Sequence, residues 1–272
     1  MLIKRLLTLG TIAMLPALAQ VASAPDSREK IAPRQHGPVK DLVDLGNGAS
    51  TSSNWSGYAI PGSSFTSAKA SWTVPVANCA SGRQYASFWV GIDGYTSSTV
   101  EQTGTDSDCA GGNPSYYAWY QFYPNPSYQI ASLTVSPGDR MAAKVVYSGS
   151  KFTIAIEDVT TGKSYSASAT VSGAVRSSAE WVAEAPCCNA DGGVLPLADF
   201  GAVLFGEDST AIGGTNSAAD SANSGVIGVF PALEKITMTT GGGLQSGILK
   251  AYPSGLSDGT SFSVTWGFPI TQ

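Results

Sequence analysis

Beyond residue 50 the chain is cut into short pieces by turn signals. Ser136-Pro137-Gly138-Asp139, Ser148-Gly149-Ser150 and Thr160-Thr161-Gly162 each interrupt runs rich in β-branched and aromatic residues. Pieces of this length suit strands rather than helices. The pattern predicts strands over 55–60, 68–74, 85–92, 98–103, 115–122, 129–135, 140–147, 151–158, 163–170, 178–184, 202–205, 235–240, 248–252 and 261–268. Composition agrees, because charged residues make up only 13% of the 272, which removes the Lys and Glu that coat helices. With 31 Gly, 11 Tyr and 6 Trp the chain favours turns and strands, and an all-helical or coiled-coil fold is excluded. No internal repeat or linker divides residues 51–272. They are expected to form one all-β domain of two packed antiparallel sheets, a β-sandwich, with 206–225 as a long Gly- and Ser-rich loop.

Residues 1–24 have the three parts of a secretory signal: Lys4 and Arg5, an apolar run from Leu6 to Leu18, and a small-residue exit at Ala22-Ser23-Ala24. No later stretch reaches the roughly 20 apolar residues that cross a bilayer, so a secreted, extracellular protein with no membrane association is expected. Residues 25–50 show no sustained alternation and read as a pro-segment or flexible leader. From residue 51 there are 9 basic against 16 acidic residues, so nucleic acid is not an expected partner. Export favours disulfides for the four cysteines, which allow three pairings. Cys79 with Cys109 is preferred because it closes a loop around residues 80–108, leaving Cys187 and Cys188 as an adjacent pair.

The chain has one histidine, His36, and it lies in the leader. A Ser-His-Asp or Cys-His hydrolase needs imidazole as its base, and catalytic zinc nearly always takes His ligands. Residues 37–272 therefore build neither, and no metal or other cofactor is expected. What remains for hydrolysis is carboxylate, amide, hydroxyl and Lys. Alternation places Ser178, Glu180, Val182 and Glu184 on one face of their strand, with Ala179, Trp181 and Ala183 on the other. Likewise Val100 and Gln102 point together, opposite Glu101. A carboxylate on one strand and an amide on another are thus expected to face a common cleft.

Six runs, in order, carry a family resemblance: Asn54-Trp-Ser-Gly-Tyr58, Ala70-Ser-Trp-Thr-Val-Pro75, Phe88-Trp-Val-Gly-Ile-Asp-Gly94, Val100-Glu-Gln-Thr-Gly104, Tyr117-Ala-Trp-Tyr120 and Ser178-Ala-Glu-Trp-Val182. The chain resembles the glutamic peptidases, or eqolisins, over essentially all of residues 52–272. The resemblance implies a lectin-like (concanavalin A-like) sandwich, made as a pre-proenzyme and acting as an acid endopeptidase on proteins or peptides. It also implies a catalytic pair, Gln102 and Glu180. Glu180 would take a proton from the attacking water and return it to the departing amine, while the Gln102 amide holds that water and the tetrahedral oxyanion. Because Gln is neutral, no second carboxylate is expected to raise the pKa of Glu180. Around the pair, Trp89, Asp93 and Asp106 are expected to support it, and Trp119 and Tyr120 to wall the substrate site.

Glu184 shares the face of Glu180 and is the competing base. Trp72, Trp181 and Trp266 read as core. A glycosidase using Glu180 with Glu184 is excluded, since the two lie about 13 Å apart along one strand, beyond the roughly 5–9.5 Å such pairs need. A secreted carbohydrate-binding sandwich without catalytic activity is the alternative reading. The protein is expected to be a monomer. Its leader is expected to inhibit, through Arg28, Lys30, Arg34 and Lys40 meeting carboxylates of an acidic cleft, with processing between about 46 and 54.

Overall fold

The computed structural model describes residues 30–187, 193–241 and 247–267. The expected signal segment and Cys188 lie outside the described residues. Within them the regular structure is almost entirely strand; twelve of the expected strands recur within a few residues, and a thirteenth is present but longer.

One layer runs Trp55–Pro61, Ser178–Glu184, Arg83–Ile92, Val100–Ala110 and Asn113–Tyr123, antiparallel throughout. The other contains Ser67–Thr73, Arg140–Ser148, Lys151–Asp158 and Lys163–Ala169, also antiparallel. They connect along one side through Glu234–Thr239, Leu249–Pro253, Phe262–Trp266 and Ala202–Phe205. The sheet does not close on itself.

Period-two alternation sends one face of each layer inward. Phe88, Val90 and Trp181 from the first layer meet Trp72, Val145 and Ile154 from the second, all buried. Each such side chain contributes roughly 1.5–3 kcal/mol relative to exposure. The Trp72 indole N–H donates to Thr105 Oγ1 at 2.9 Å, so the one polar atom of that side chain is satisfied across the layers. Cys79 and Cys109 are bonded, with Cα atoms 5.4 Å apart, as the sequence favoured. This joins the far end of the Val100–Ala110 strand to the loop before Arg83–Ile92, which loop-closure entropy values at about 3–4 kcal/mol. Cys187 is also disulfide-bonded.

Four segments depart from expectation. The strand expected to end at 103 continues to Ala110, because Gly111 and Gly112, with φ of 59° and 83°, form a two-residue hairpin turn that only glycine enters freely. Residues 129–135 pair only at Tyr128–Gln129. Ile130 and Leu133 are buried through a turn in which the Leu133 N–H donates to Ile130 O, so their apolar character reflects burial without a ladder. The expected loop 206–225 carries a short helix, Glu207–Thr210, and the hairpin strands Ser217–Ala219 and Ser224–Val226. The leader is not strand-free: Lys30–Ile31 pairs with Tyr128–Gln129, Val43–Asp44 with Ala49–Ser52, and Ala49–Ser52 runs parallel to Glu234–Thr239.

Gly104 is one of the tightest points of the first layer. A Cβ there would lie 2.3 Å from Phe88 O and 2.5 Å from Trp89 Cβ. Gly104→Ala is expected to destabilise by about 1–3 kcal/mol through backbone displacement, seen as a lowered Tm in a thermal melt; an unchanged Tm contradicts this packing.

Candidate active site

Residues directly opposite one another in antiparallel strands share a face, so register converts five strands into rows of side chains. Away from the core, the first row is Ala59, Glu180, Gly91, Gln102 and Gln121. The second is Gly57, Val182, Trp89, Gly104 and Trp119. The third is Trp55, Glu184, Ser87, Asp106 and Tyr117. In the first row, two strand spacings place the backbones of Glu180 and Gln102 roughly 10 Å apart. The residue between them is a glycine, and the edge of the Trp89 indole lies against it, 3.0 Å from where a Cβ would stand.

Glu180 is fully buried and neither carboxyl oxygen makes a well-formed hydrogen bond. Burial drives its pKa well above the usual range; Asp93 and Glu101 add to the shift, and Ser178 opposes it. The expectation that no further carboxylate acts on Glu180 is therefore corrected, by two residues that alternation along the Glu180 strand cannot reveal. Gln102 Nε2 donates to His36 O at 3.3 Å and lies 3.5 Å from Gln121 Oε1, while its own Oε1 has no partner.

The third row is a cluster of acids. The Trp89 indole donates to Glu184 Oε2 at 2.8 Å, and burial pushes Glu184 up to about 8. The Tyr117 hydroxyl donates to Asp106 at 2.6 Å and reaches Asp108 at 3.4 Å. Burial pushes both aspartates up to about 6. Among the described residues no group of three His, Cys, Asp or Glu side chains is placed to hold a metal ion. A carboxyl and an amide on the same face, two strands apart across a glycine, suit proton transfer to and from water, with a neutral donor for an oxyanion.

Residues 53–241 match the model of the Peptidase A4 family. The chain belongs to that family. It is 32% identical over 221 residues to aspergillopepsin-2 of Aspergillus niger, covering 71% of this chain and 77% of that protein. It is 35% identical over 184 residues to scytalidopepsin B of Scytalidium lignicola, covering 64% and 69%. A solved structure of scytalido-glutamic peptidase with a transition state analog inhibitor superposes with a TM-score of 0.64 at 27% identity, covering 79% of this chain and 98% of that one. The protein is thus a glutamic peptidase and a hydrolase, which sets aside the carbohydrate-binding alternative.

In this A4 peptidase, Gln102 and Glu180 share the first row, Trp89 and Trp119 form the second, and Glu184 and Asp106 the third. Asp93 lies at the end of the row-bearing strand and bonds to loops. Tyr120, expected beside Trp119, instead faces the core and stacks on Tyr128 and Tyr165, because successive residues of a strand point to opposite faces. Trp72 and Trp181 are fully buried core residues, and Trp266 packs against the core only partly buried. Gln121 was missed, although its parity with Trp119 puts it on the same face.

The larger omission is the leader itself, which crosses the rows. Gln35 exchanges backbone hydrogen bonds with Cys187 at 3.3 and 3.1 Å. His36 N–H donates to Gln121 Oε1 at 3.1 Å. The His36 ring stacks on Trp119 with centroids 3.7 Å apart, its Nδ1 3.3 Å from Glu184 and its Nε2 3.6 Å from Asp106. Burial pushes this imidazole down to about 4, against the attraction of Asp106. Arg34 lies 3.4 Å from Asp108 and over the Tyr85 ring. Of the leader cations expected to meet acids, Arg34 does so, Lys30 is exposed, the Lys40 backbone N–H donates to Asn54 Oδ1, and Arg28 lies outside the described residues.

Tyr117 is the hydroxyl donor shared by Asp106 and Asp108. Tyr117→Phe is expected to destabilise by roughly 1–3 kcal/mol at about pH 7.5, where both aspartates are ionised, and by less at about pH 4, where protonation relieves them. Thermal melts at the two values check this; equal losses contradict it.

Proposed function

We propose that this peptidase is an exported acid endopeptidase in which Glu180 is the general base and then acid, and Gln102 the oxyanion donor. The observation that carries the reading is the single row Glu180, Gly91, Gln102. A water in that interval attacks the scissile carbonyl carbon as Glu180 takes its proton, forming a tetrahedral intermediate whose oxyanion accepts from Gln102 Nε2. Collapse breaks the C–N bond as Glu180 returns the proton to the leaving amine. Trp89 and Trp119 wall the substrate path, and Glu184 and Asp106 line it. The signal-like residues 1–24 and the Cys79–Cys109 disulfide support export.

The leader acts as an inhibitor in this reading. His36 O occupies the Gln102 amide and His36 fills the space between Glu184 and Asp106, so a substrate has no access to the row. Covering the row also keeps Glu180 protonated, and a protonated acid is no base. Because burial is the largest cause of that shift, uncovering the row lowers the pKa of Glu180 and frees it to ionise in acid.

Titration acts on docking in two directions. His36 titrates near 6.5 when free and near 4 when docked, so its contribution to docking is full above 6.5 and declines as pH falls toward 4. By covering Glu184 and Asp106 docking raises them and takes up protons as pH falls, a rise that the leader's own Gly37 backbone and His36 oppose. His36→Phe keeps the stacking and removes the first effect. Inhibition of the mature enzyme by isolated leader is expected to weaken between pH 6.5 and 4 relative to the His36→Phe leader, and a constant ratio of the two inhibition constants contradicts this role for His36.

For the catalytic pair, Gln102→Ala is expected to lower kcat roughly 10²–10³-fold and Glu180→Gln by about 10²-fold or more, both with native melts. Glu184→Gln is expected to keep kcat within about tenfold, since its part is contact rather than proton transfer. Digestion of a denatured protein in acid decides it. Parent-like rates in Glu180→Gln, or a dead Glu184→Gln beside an active Glu180→Gln, contradict the assignment.

A further inference from the structure

Asp93 ends the Trp89 strand two residues beyond Gly91. It is fully buried, and its φ of 72° lies in the left-handed region that few residues other than glycine tolerate. Its Oδ1 accepts from Ser177 N at 2.8 Å, Ser177 Oγ at 3.1 Å and Ser97 Oγ at 3.1 Å. Its Oδ2 accepts from Arg176 N at 2.8 Å, Val175 N at 3.0 Å and Thr99 Oγ1 at 3.5 Å. The Asp93 N–H donates to Ser178 O at 3.0 Å.

The donors fall into two groups. Val175, Arg176 and Ser177 lead directly into Ser178–Glu184, and Glu180 is the third residue of that strand. Ser97 and Thr99 lead into Val100–Ala110, and Gln102 is the third residue there. One carboxylate therefore ties together the entrances of both strands that carry the catalytic pair, from the end of the strand that separates them. An ionised carboxylate accepts at both oxygens, whereas an amide of the same shape presents a donor on one side and meets an N–H with an N–H.

We propose that Asp93 is a positioning residue that sets the separation and aim of Glu180 and Gln102, an inference that rests on the assignment of that pair. Asp93 also acts on Glu180 by charge. The groups that act on Glu180 by charge or hydrogen bond are Asp93, Glu101 from the Gln102 strand, Ser178 from its own strand, and the backbone of Tyr95. Glu101 is itself buried with neither oxygen partnered, and burial and Asp93 push it up to about 9. The nearest cation in sequence, Arg176, is turned away: its guanidinium bonds to Phe65 O and covers the Tyr147 ring. Asp93 thus raises the pKa of Glu180, and its neutral replacement lowers it.

The test is Asp93→Asn in the full chain, activated by acid and assayed beside Glu180→Gln. Misplacing the pair by about 1 Å costs roughly 10²-fold, so kcat is expected to fall by about that factor with KM within about twofold. The acidic limb of the kcat profile is expected to move to lower pH, a shift that loosened packing alone does not produce. Ser177→Ala and Thr99→Val each remove one hydroxyl donor from one side of Asp93, and are expected to lower kcat in the same direction by less. They carry the test if Asp93→Asn does not fold. A folded Asp93→Asn with parent kcat and an unmoved acidic limb, or unchanged kcat in both single-donor variants, overturns the proposal while an inactive Glu180→Gln leaves the catalytic pair standing. A Glu180→Gln enzyme as active as the parent overturns the pair, and this role with it.

Discussion

Across three antiparallel strands, Glu180, Gly91 and Gln102 fall in one row, and what the molecule can do follows from that alignment. Backbone hydrogen bonds fix the strand spacing, and the missing side chain at Gly91 leaves room there for the edge of the Trp89 indole between carboxyl and amide. A one-residue slip in either pairing would turn the whole set of side chains on that strand to the core face. The register is held where slippage is most costly. Gly104 admits the Phe88 carbonyl too closely for any Cβ, the Cys79–Cys109 bond ties down the far end, and Asp93 gathers the near ends of both outer strands.

The same face concentrates acids where water is scarce. Glu180, Glu184, Asp106 and Asp108 all have raised pKa values, and in each the largest cause is burial. The leader lies across the same face. Its backbone accepts from Gln102 Nε2 and donates to Gln121 Oε1, and its imidazole stands between two acids. The covered state is dry and protonated, the reverse of what a general base needs. In the proposed mechanism, exposure of the row to water reverses both conditions together, which links access and chemistry in one event.

Much of this was legible from alternation. The common face of Ser178, Glu180 and Glu184 and the opposition of Glu101 to Gln102 follow from a period of two, and both hold in the structure. The same rule shows that Trp119 and Tyr120 cannot wall one cleft together. Strand neighbours were not legible, because Ser178–Glu184 inserts between Trp55–Pro61 and Arg83–Ile92 from far along the chain. That insertion is what aligns Glu180 with Gln102 and brings Asp93 to Ser177. The role of His36 was also hidden. A single residue in an irregular segment leaves no periodic trace, and its seat is built from Trp119, Asp106 and Glu184 on three different strands.

The alignment of the row is tested most directly by a crystal structure of the enzyme freed of residues 30–50 and bound to a tetrahedral transition-state analogue. The account predicts one analogue oxygen within about 2.6–3.2 Å of the Glu180 carboxyl and the other within the same range of Gln102 Nε2, directly above Gly91. An analogue whose tetrahedral centre is held instead by Glu184 and Asp106, with Glu180 out of reach, would contradict it.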